Sequence, residues 1–347
     1  LDSFFNVQYE KKHPLISKFY NLLYKLTYSS LIPHLHELVI SSFNKKYFRK
    51  LENIIQENSI DILHTNNQPN RDYLVIQVAQ KYNLKIVSHI RTINTYGFSK
   101  KKAYLCNKSV EQFVTYSKFL RTQWSEKYLD FIKIDVIPNA VKQLTDKEIN
   151  IASKNIDLFS SYSSYLKIAI VGRIIPERGH LFALDVLKVL VDSNIKVKLF
   201  IVGDHMGFDT YHQEILKKMD DLNLTNHVIL TGFMNNPSQV MCNIDILFMP
   251  YTIEPFGRVL LEAWQLKTIV VLSNVGNIKD LVNHGENAMI YDFSNVKSCV
   301  DCFLTLLSDS SLKGKIRKDG YTTYNEKYTT KNYIQKMNLL YDKVLKS

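Results

Sequence analysis

Between residues 167 and 291 the chain alternates short apolar runs with longer amphipathic stretches. Residues 167–171, 197–202, 228–231, 243–249, 268–272 and 288–291 read as strands. Residues 181–191, 212–222 and 258–266 read as helices between them. This is the rhythm of βαβ units laid into a parallel sheet. Several of the strands stop at a glycine or a proline, and in open α/β sheets the ligand crevice lies outside the carboxyl ends of the strands.

A similar alternation precedes it. Residues 60–64, 84–88, 113–117 and 134–139 read as strands, with a helix over 71–82 and another running to Leu129. Residues 142–165 interrupt the pattern with polar residues and a serine cluster at 160–164, as a connection between domains would. At 347 residues, 46% of them apolar, the chain can bury two cores. We therefore expect a first α/β domain over 1–150 and a second over 166–329. A C-terminal helix over 330–347, apolar at Tyr333, Ile334, Met337, Leu340, Tyr341 and Val344, ends the second domain or crosses back to the first.

Charge is uneven. Residues 1–150 carry 22 Lys and Arg against 13 Asp and Glu, whereas the remainder carries 22 against 20. A basic first half suits an anionic partner: membrane headgroups, an anionic glycan or nucleic acid. Aromatics interleaved with Lys18 and Lys25 over 15–26 fit either a helix at a membrane interface or an amphipathic helix whose lysine stems cover a core. No run of 18 apolar residues is present, so no transmembrane helix is expected, and no signal peptide is visible. Cys299 and Cys302 share a helix face and read as core; neither they nor His34 and His36 have a third partner suggesting a metal. A reducing, cytoplasmic setting fits the four cysteines.

Two segments carry chemistry. Glu254-Pro255-Phe256-Gly257-Arg258-Val259 leads into an apolar helix containing Glu262. A helix N-terminus offers free N–H groups and a positive dipole end to a diphosphate, with one carboxylate ahead of the helix and one within it to hold sugar hydroxyls. Gly172-Arg173 through Arg178-Gly179 follows a strand and precedes a helix. There Gly172 permits close backbone approach, and two guanidinium groups suit phosphate oxygens.

Over about residues 61–347 the chain resembles the retaining glycosyltransferases of family 4, the glycosyl transferases group 1. The resemblance is carried by Val171 to Gly179, Phe200 to Gly203, Thr231 to Phe233, Glu254 to Ala263 and, in the first domain, Ile137 to Val141. It implies the GT-B fold, two Rossmann-like domains facing across a cleft. It implies that Arg173 and Arg178 bind the donor diphosphate, Arg178 standing where the family usually has lysine. It places Glu254 on the donor sugar, Glu262 on the ribose, and the N–H groups around Phe256, Gly257, Arg258 and Val259 on the diphosphate. Gly232 and Phe233 stand at the base-binding backbone. In the first domain the family's catalytic position falls at Arg91, with His89 two residues early.

Two departures follow. No glycine precedes Gly97, so the family's opening strand and glycine-rich loop are expected to be missing from the first domain. Lys267 stands where a turn glycine is usual. No Asp-x-Asp motif occurs, and the resemblance implies no cofactor and no required metal. The expected activity is hexosyl transfer with retention, from a UDP-sugar or a GDP-sugar to a glycan or lipid-linked acceptor in surface polysaccharide synthesis. Peripheral contact through the basic half would place it at the inner face of the membrane, with no nucleic-acid partner. A GT-B sugar-nucleotide epimerase, or a domain that binds nucleotide sugar without transfer, are the competing readings.

Overall fold

The computed structural model describes residues 48–93, 95, 97–154, 157–253, 257–276 and 278–347. The 15–26 stretch, His34 and His36 lie outside them. Residues 48–57 are helical. Two parallel sheets follow. The first comprises β1 (Ile62–Thr65), β2 (Lys85–Ile90), β3 (Gln112–Thr115) and β4 (Ile134–Val136), in that spatial order among the described residues. Helices α1 (Pro69–Lys81), α2 (Lys100–Ser109) and α3 (Lys118–Ser125) make the crossovers. Ser99 and Ser117 start α2 and α3 by accepting from the N–H groups of Lys102 and Leu120, which satisfies donors that a helix start leaves orphaned.

The 142–165 connection is more ordered than its polarity suggests. It holds α4 (Asp146–Ala152) and the short α5 (Asp157–Ser160). Thr145 and Glu148 form a reciprocal capping box, and Ala152 and Phe159 are buried. Few apolar residues are needed when a cap supplies the start and two buried side chains supply the anchor.

The second sheet comprises β5 (Leu166–Val171), β6 (Val197–Val202), β7 (Val228–Gly232), β8 (Ile246–Met249), β9 (Ile269–Ser273) and β10 (Met289–Tyr291). Its spatial order is β10-β9-β8-β5-β6-β7, all parallel. Ala169, Val171, Phe200, Val202, Leu247 and Met249 enter one core cluster, and their alternate neighbours Ile168, Ile170, Leu199, Ile201, Ile246 and Phe248 another. Both faces are therefore covered, which is why these strands read as continuous apolar runs. The helices are α6 (His180–Asp192), α7 (Asp209–Asp221), α8 (Pro237–Asn243), α9 (Arg258–Gln265), α10 (Ile278–Leu281), α11 (Val296–Ser308), α12 (Ser310–Lys327) and α13 (Thr330–Lys346). The strand expected over 243–249 begins only at Ile246, because Asn236 caps a helix opened by Pro237 that runs to Asn243. Cys299 and Cys302 are buried on α11. Lys267 takes the left-handed conformation, φ 59°, that a turn glycine adopts freely.

Strand order reverses between β5 and β8. The crevice at such a reversal is where an open α/β sheet binds its ligand. The loops that leave it are 172–179 and 250–257, the two segments that carry the charged motifs.

α13 lies along the first sheet. Met337, Leu340 and Val344 pack with Val87, Val114 and Ile137. Lys343 Nζ donates to Gln112 Oε1 at 3.2 Å. The chain thus crosses between the sheets twice, and the crossings lie side by side: Val141 bridges Thr329, and Thr330 Oγ1 donates to the Val141 carbonyl at 3.0 Å.

Candidate active site

The two loops at the strand reversal are locked together. Gly179, at φ 68°, caps the start of α6, and a Cβ there would lie 1.8 Å from the Pro250 carbonyl oxygen. The Thr252 N–H donates to the Glu177 carbonyl at 3.1 Å. This contact sets Arg178 against Tyr251. The guanidinium lies 4.4 Å over the phenol ring centre, and Nη1 donates to the hydroxyl. Burial, then the charge of Arg173, pulls Arg178 down to about 10, with Glu177 pushing the other way. The side chain remains charged at neutral pH. A guanidinium can lie over the ring and donate to its hydroxyl at the same time, which gives arginine a physical reason to stand where the resemblance implies lysine.

On the other side of the crevice, α9 begins at Gly257. Glu262 sits one turn into it, half-buried, and burial raises its carboxyl while Arg258 lowers it. A carboxylate this desolvated is suited to accept from ligand hydroxyls.

A cavity of about 700 Å³ joins the two sheets. Its second-domain wall is Arg178, Gly257, Arg258, Val259 and Glu262. Its opposite wall is Asn66, Arg91, Asn139 and Ala140 from the first domain, with Thr330 and Tyr333 from the first turn of α13. Six of the residues singled out in the sequence therefore meet here. Arg173 and Gly172 lie in the Arg178 loop but outside the lining, with Arg173 exposed. Gly232 ends β7, two strands from β5, and Phe233 follows it; the Gly232 carbonyl accepts from the Gly203 N–H, and Phe233 is 71% exposed. Glu254, Pro255 and Phe256 lie outside the described residues.

His89 does not reach the cavity. Its β2 position puts it beneath α13, 1% exposed. Its ring stacks on His64 with centroids 4.8 Å apart, and Nδ1 lies 2.7 Å from His64 Nε2. His64 Nδ1 in turn lies 2.6 Å from the Tyr341 hydroxyl. Burial first and Arg91 second push His64 down to about 4; the same causes, with His64 added, push His89 down to about 2. His89 lies on the face of β2 that α13 covers and is not part of the lining, whereas Arg91, just past the strand end, where the resemblance puts the catalytic position, lines the cavity.

Asn66, Tyr251, Thr330 and Tyr333 were not anticipated. Asn66 belongs to the polar run after β1, a position at the carboxyl end of a strand that pointed to the crevice. The other three depend on loop–loop and helix–sheet contacts.

Two Rossmann-like parallel-sheet domains facing each other across such a cleft make this a GT-B fold. HepE of Anabaena, in complex with UDP and glucose, superposes with a TM-score of 0.74 at 18% identity, over 90% of this chain and 84% of HepE. The model of the Glycosyl transferases group 1 family matches residues 155–323. The capsular polysaccharide biosynthesis glycosyltransferase CapM of Staphylococcus aureus is 26% identical over 181 residues, 52% of this chain and 46% of CapM. The UDP-Gal:alpha-D-GlcNAc-diphosphoundecaprenol alpha-1,3-galactosyltransferase of Escherichia coli is 22% identical over 192 residues, 54% of this chain and 48% of that enzyme. The chain spans less than half the length of these curated relatives.

Proposed function

We propose that the protein is a retaining glycosyltransferase that moves a hexose from a UDP-sugar to a glycan or lipid-linked acceptor in surface polysaccharide synthesis. The observation that carries this reading is the meeting of Arg178, the start of α9 and Glu262 in one cavity at the strand reversal, faced by Arg91. UDP in the HepE complex and the names of the two curated relatives support it.

In this reading Arg173, Arg178 and the N–H groups at Gly257, Arg258 and Val259 bind the diphosphate, and no metal is required. Glu262 takes the ribose hydroxyls and Glu254 the sugar hydroxyls. The backbone at Gly232 and Phe233 meets the base. The bond from the anomeric carbon to the diphosphate oxygen breaks on the face where the acceptor oxygen bonds. The acceptor's hydroxyl proton passes to the departing phosphate. Arginines placed against that phosphate stabilise the charge as it develops, without reorganising.

Peripheral membrane contact belongs to the same reading. Among the described residues no helix is long and apolar enough to cross a membrane. Ile132 is 83% and Phe131 52% exposed, in a 3-10 turn held to the end of α2 by Asn107, whose side chain donates to the Tyr128 carbonyl and accepts from the Asp130 N–H. Lys101, Tyr104 and Lys108 line the exposed face of α2. An apolar tip beside lysines fits an anionic lipid surface at the inner face of a membrane.

Incubating the protein with UDP- and GDP-sugars, with and without glycan or lipid-linked acceptors, tests the activity. Acceptor-dependent release of UDP, with the anomeric configuration kept and with chelator present, is the expected result. Epimer formation, or binding without turnover, would overturn it.

A further inference from the structure

Arg91 is held in an unusual way for a cleft arginine. Its Nε and Nη2 both donate to Asn66 Oδ1, at 3.1 and 2.6 Å, and its Nη1 donates to Asn139 Oδ1 at 2.9 Å. Asn66 follows β1, Arg91 follows β2 and Asn139 follows β4, so three strand ends of the first sheet converge on one guanidinium. These partners are neutral amides. A carboxylate in either place would fix the side chain equally well and cancel its charge. Amide oxygens fix it and leave the charge whole. Of its five N–H donors, these three bonds leave two for a ligand.

Among the described residues the cavity lining carries Arg91, Arg178 and Arg258 against one carboxylate, Glu262. On the proposed reading, Arg173, Arg178 and the α9 N-terminus already face the donor diphosphate from the second domain. Arg91 stands on the opposite wall, beside Ala140, Thr330 and Tyr333. Its field is felt inside the first domain, where it depresses both His64 and His89.

We infer that Arg91, clamped by Asn66 and Asn139, is an acceptor-side anion site that receives a phosphate or carboxylate group of the acceptor. This rests on the donor reading above. The acceptor would then be an anionic molecule, either a phosphate-bearing lipid or polymer or an acidic sugar. Asn66 and Asn139 are positioning residues. They aim the fork at the group it binds.

The test uses the full chain saturated with UDP, titrated by calorimetry at low ionic strength with inorganic phosphate and, separately, with glucuronate. At least one anion is expected to bind alongside UDP, and the preferred one identifies the acceptor chemistry. Arg91→Gln should weaken that binding tenfold or more while UDP affinity stays within twofold. Asn139→Asp should do the same, because the near-isosteric carboxylate keeps Arg91 in place and cancels its charge. If UDP binds and neither anion does, or if Arg91→Gln weakens UDP itself tenfold, the acceptor-side site is wrong. If UDP does not bind at all, the donor reading fails and this inference with it.

Discussion

The charged residues of the cleft differ in how they are supported. Arg178 is stacked on Tyr251 and hydrogen-bonded to its hydroxyl, so its direction is set before any ligand arrives. Arg173 is exposed. Preorganised cations stabilise a developing charge at little cost, whereas a mobile one loses side-chain entropy on binding. Arg173→Ala and Glu254→Ala should each lower turnover about a hundredfold or more, roughly 2.7 kcal/mol, with unchanged thermal melting. Near-normal rates in either variant would remove that residue from the site. Arg178 and Glu262, which the structure brings into one cavity, were legible because their motifs bracket a strand end and a helix start. Tyr251 was not, because its role depends on Gly179 meeting Pro250, a contact between loops about seventy residues apart. The burial of His89 was not legible, because the strand reading did not say that α13 would cover that face of β2.

At the scale of elements, α9 is held from behind as well as aimed in front. Trp264 is 1% exposed and its Nε1 donates to the Asn287 carbonyl at 2.8 Å. Gly320 on α12 lies so close that a Cβ there would sit 2.7 Å from Trp264 Cδ1. Alanine is the better helix former by about 1 kcal/mol, but overlap with a locked indole costs about 1–3 kcal/mol. Gly320→Ala should therefore lower the melting temperature, and a rise would show that α12 can shift. A second element-scale consequence concerns α13. His64 and His89 titrate below their ordinary value in the fold, so the unfolded chain takes up protons first as pH drops below about 6.5. Stability they contribute at neutral pH is lost below about 6.5, down to about 4 for His64 and about 2 for His89. The groups facing them are Arg91 and Tyr341, with Lys343 paired to Asp135 nearby. Protection factors across α13, referred to the intrinsic exchange rate at each pH, should fall over that window, and His64→Leu with His89→Leu should flatten the dependence; an unchanged slope would sink the assignment. The strands were legible because both faces are buried. α4 and α8 were not, because caps at Thr145 and Asn236, rather than apolar periodicity, define them.

For the whole molecule, the proposed membrane contact makes a prediction about the basic first half. Segment 100–133 holds eight Lys and Arg against three Asp and Glu, and the exposed Phe131 and Ile132 lie at its end. Co-sedimentation with vesicles containing phosphatidylglycerol, compared with neutral vesicles, should show charge-dependent binding that Ile132→Asp reduces severalfold. Equal binding of the variant would move the contact elsewhere. The paired crossings carry a different consequence. Backbone passes between the domains at 137–145 and again at 328–330, bonded to each other at Val141, Thr329 and Thr330. Gln265 ties the first crossing to the second domain, accepting from the Leu144 N–H and donating to the Lys142 carbonyl and the Tyr324 hydroxyl. Both covalent connections between the domains therefore pass through one seam, and since Thr330 belongs to that seam and to the cavity lining, a change at the seam reaches the cleft wall directly.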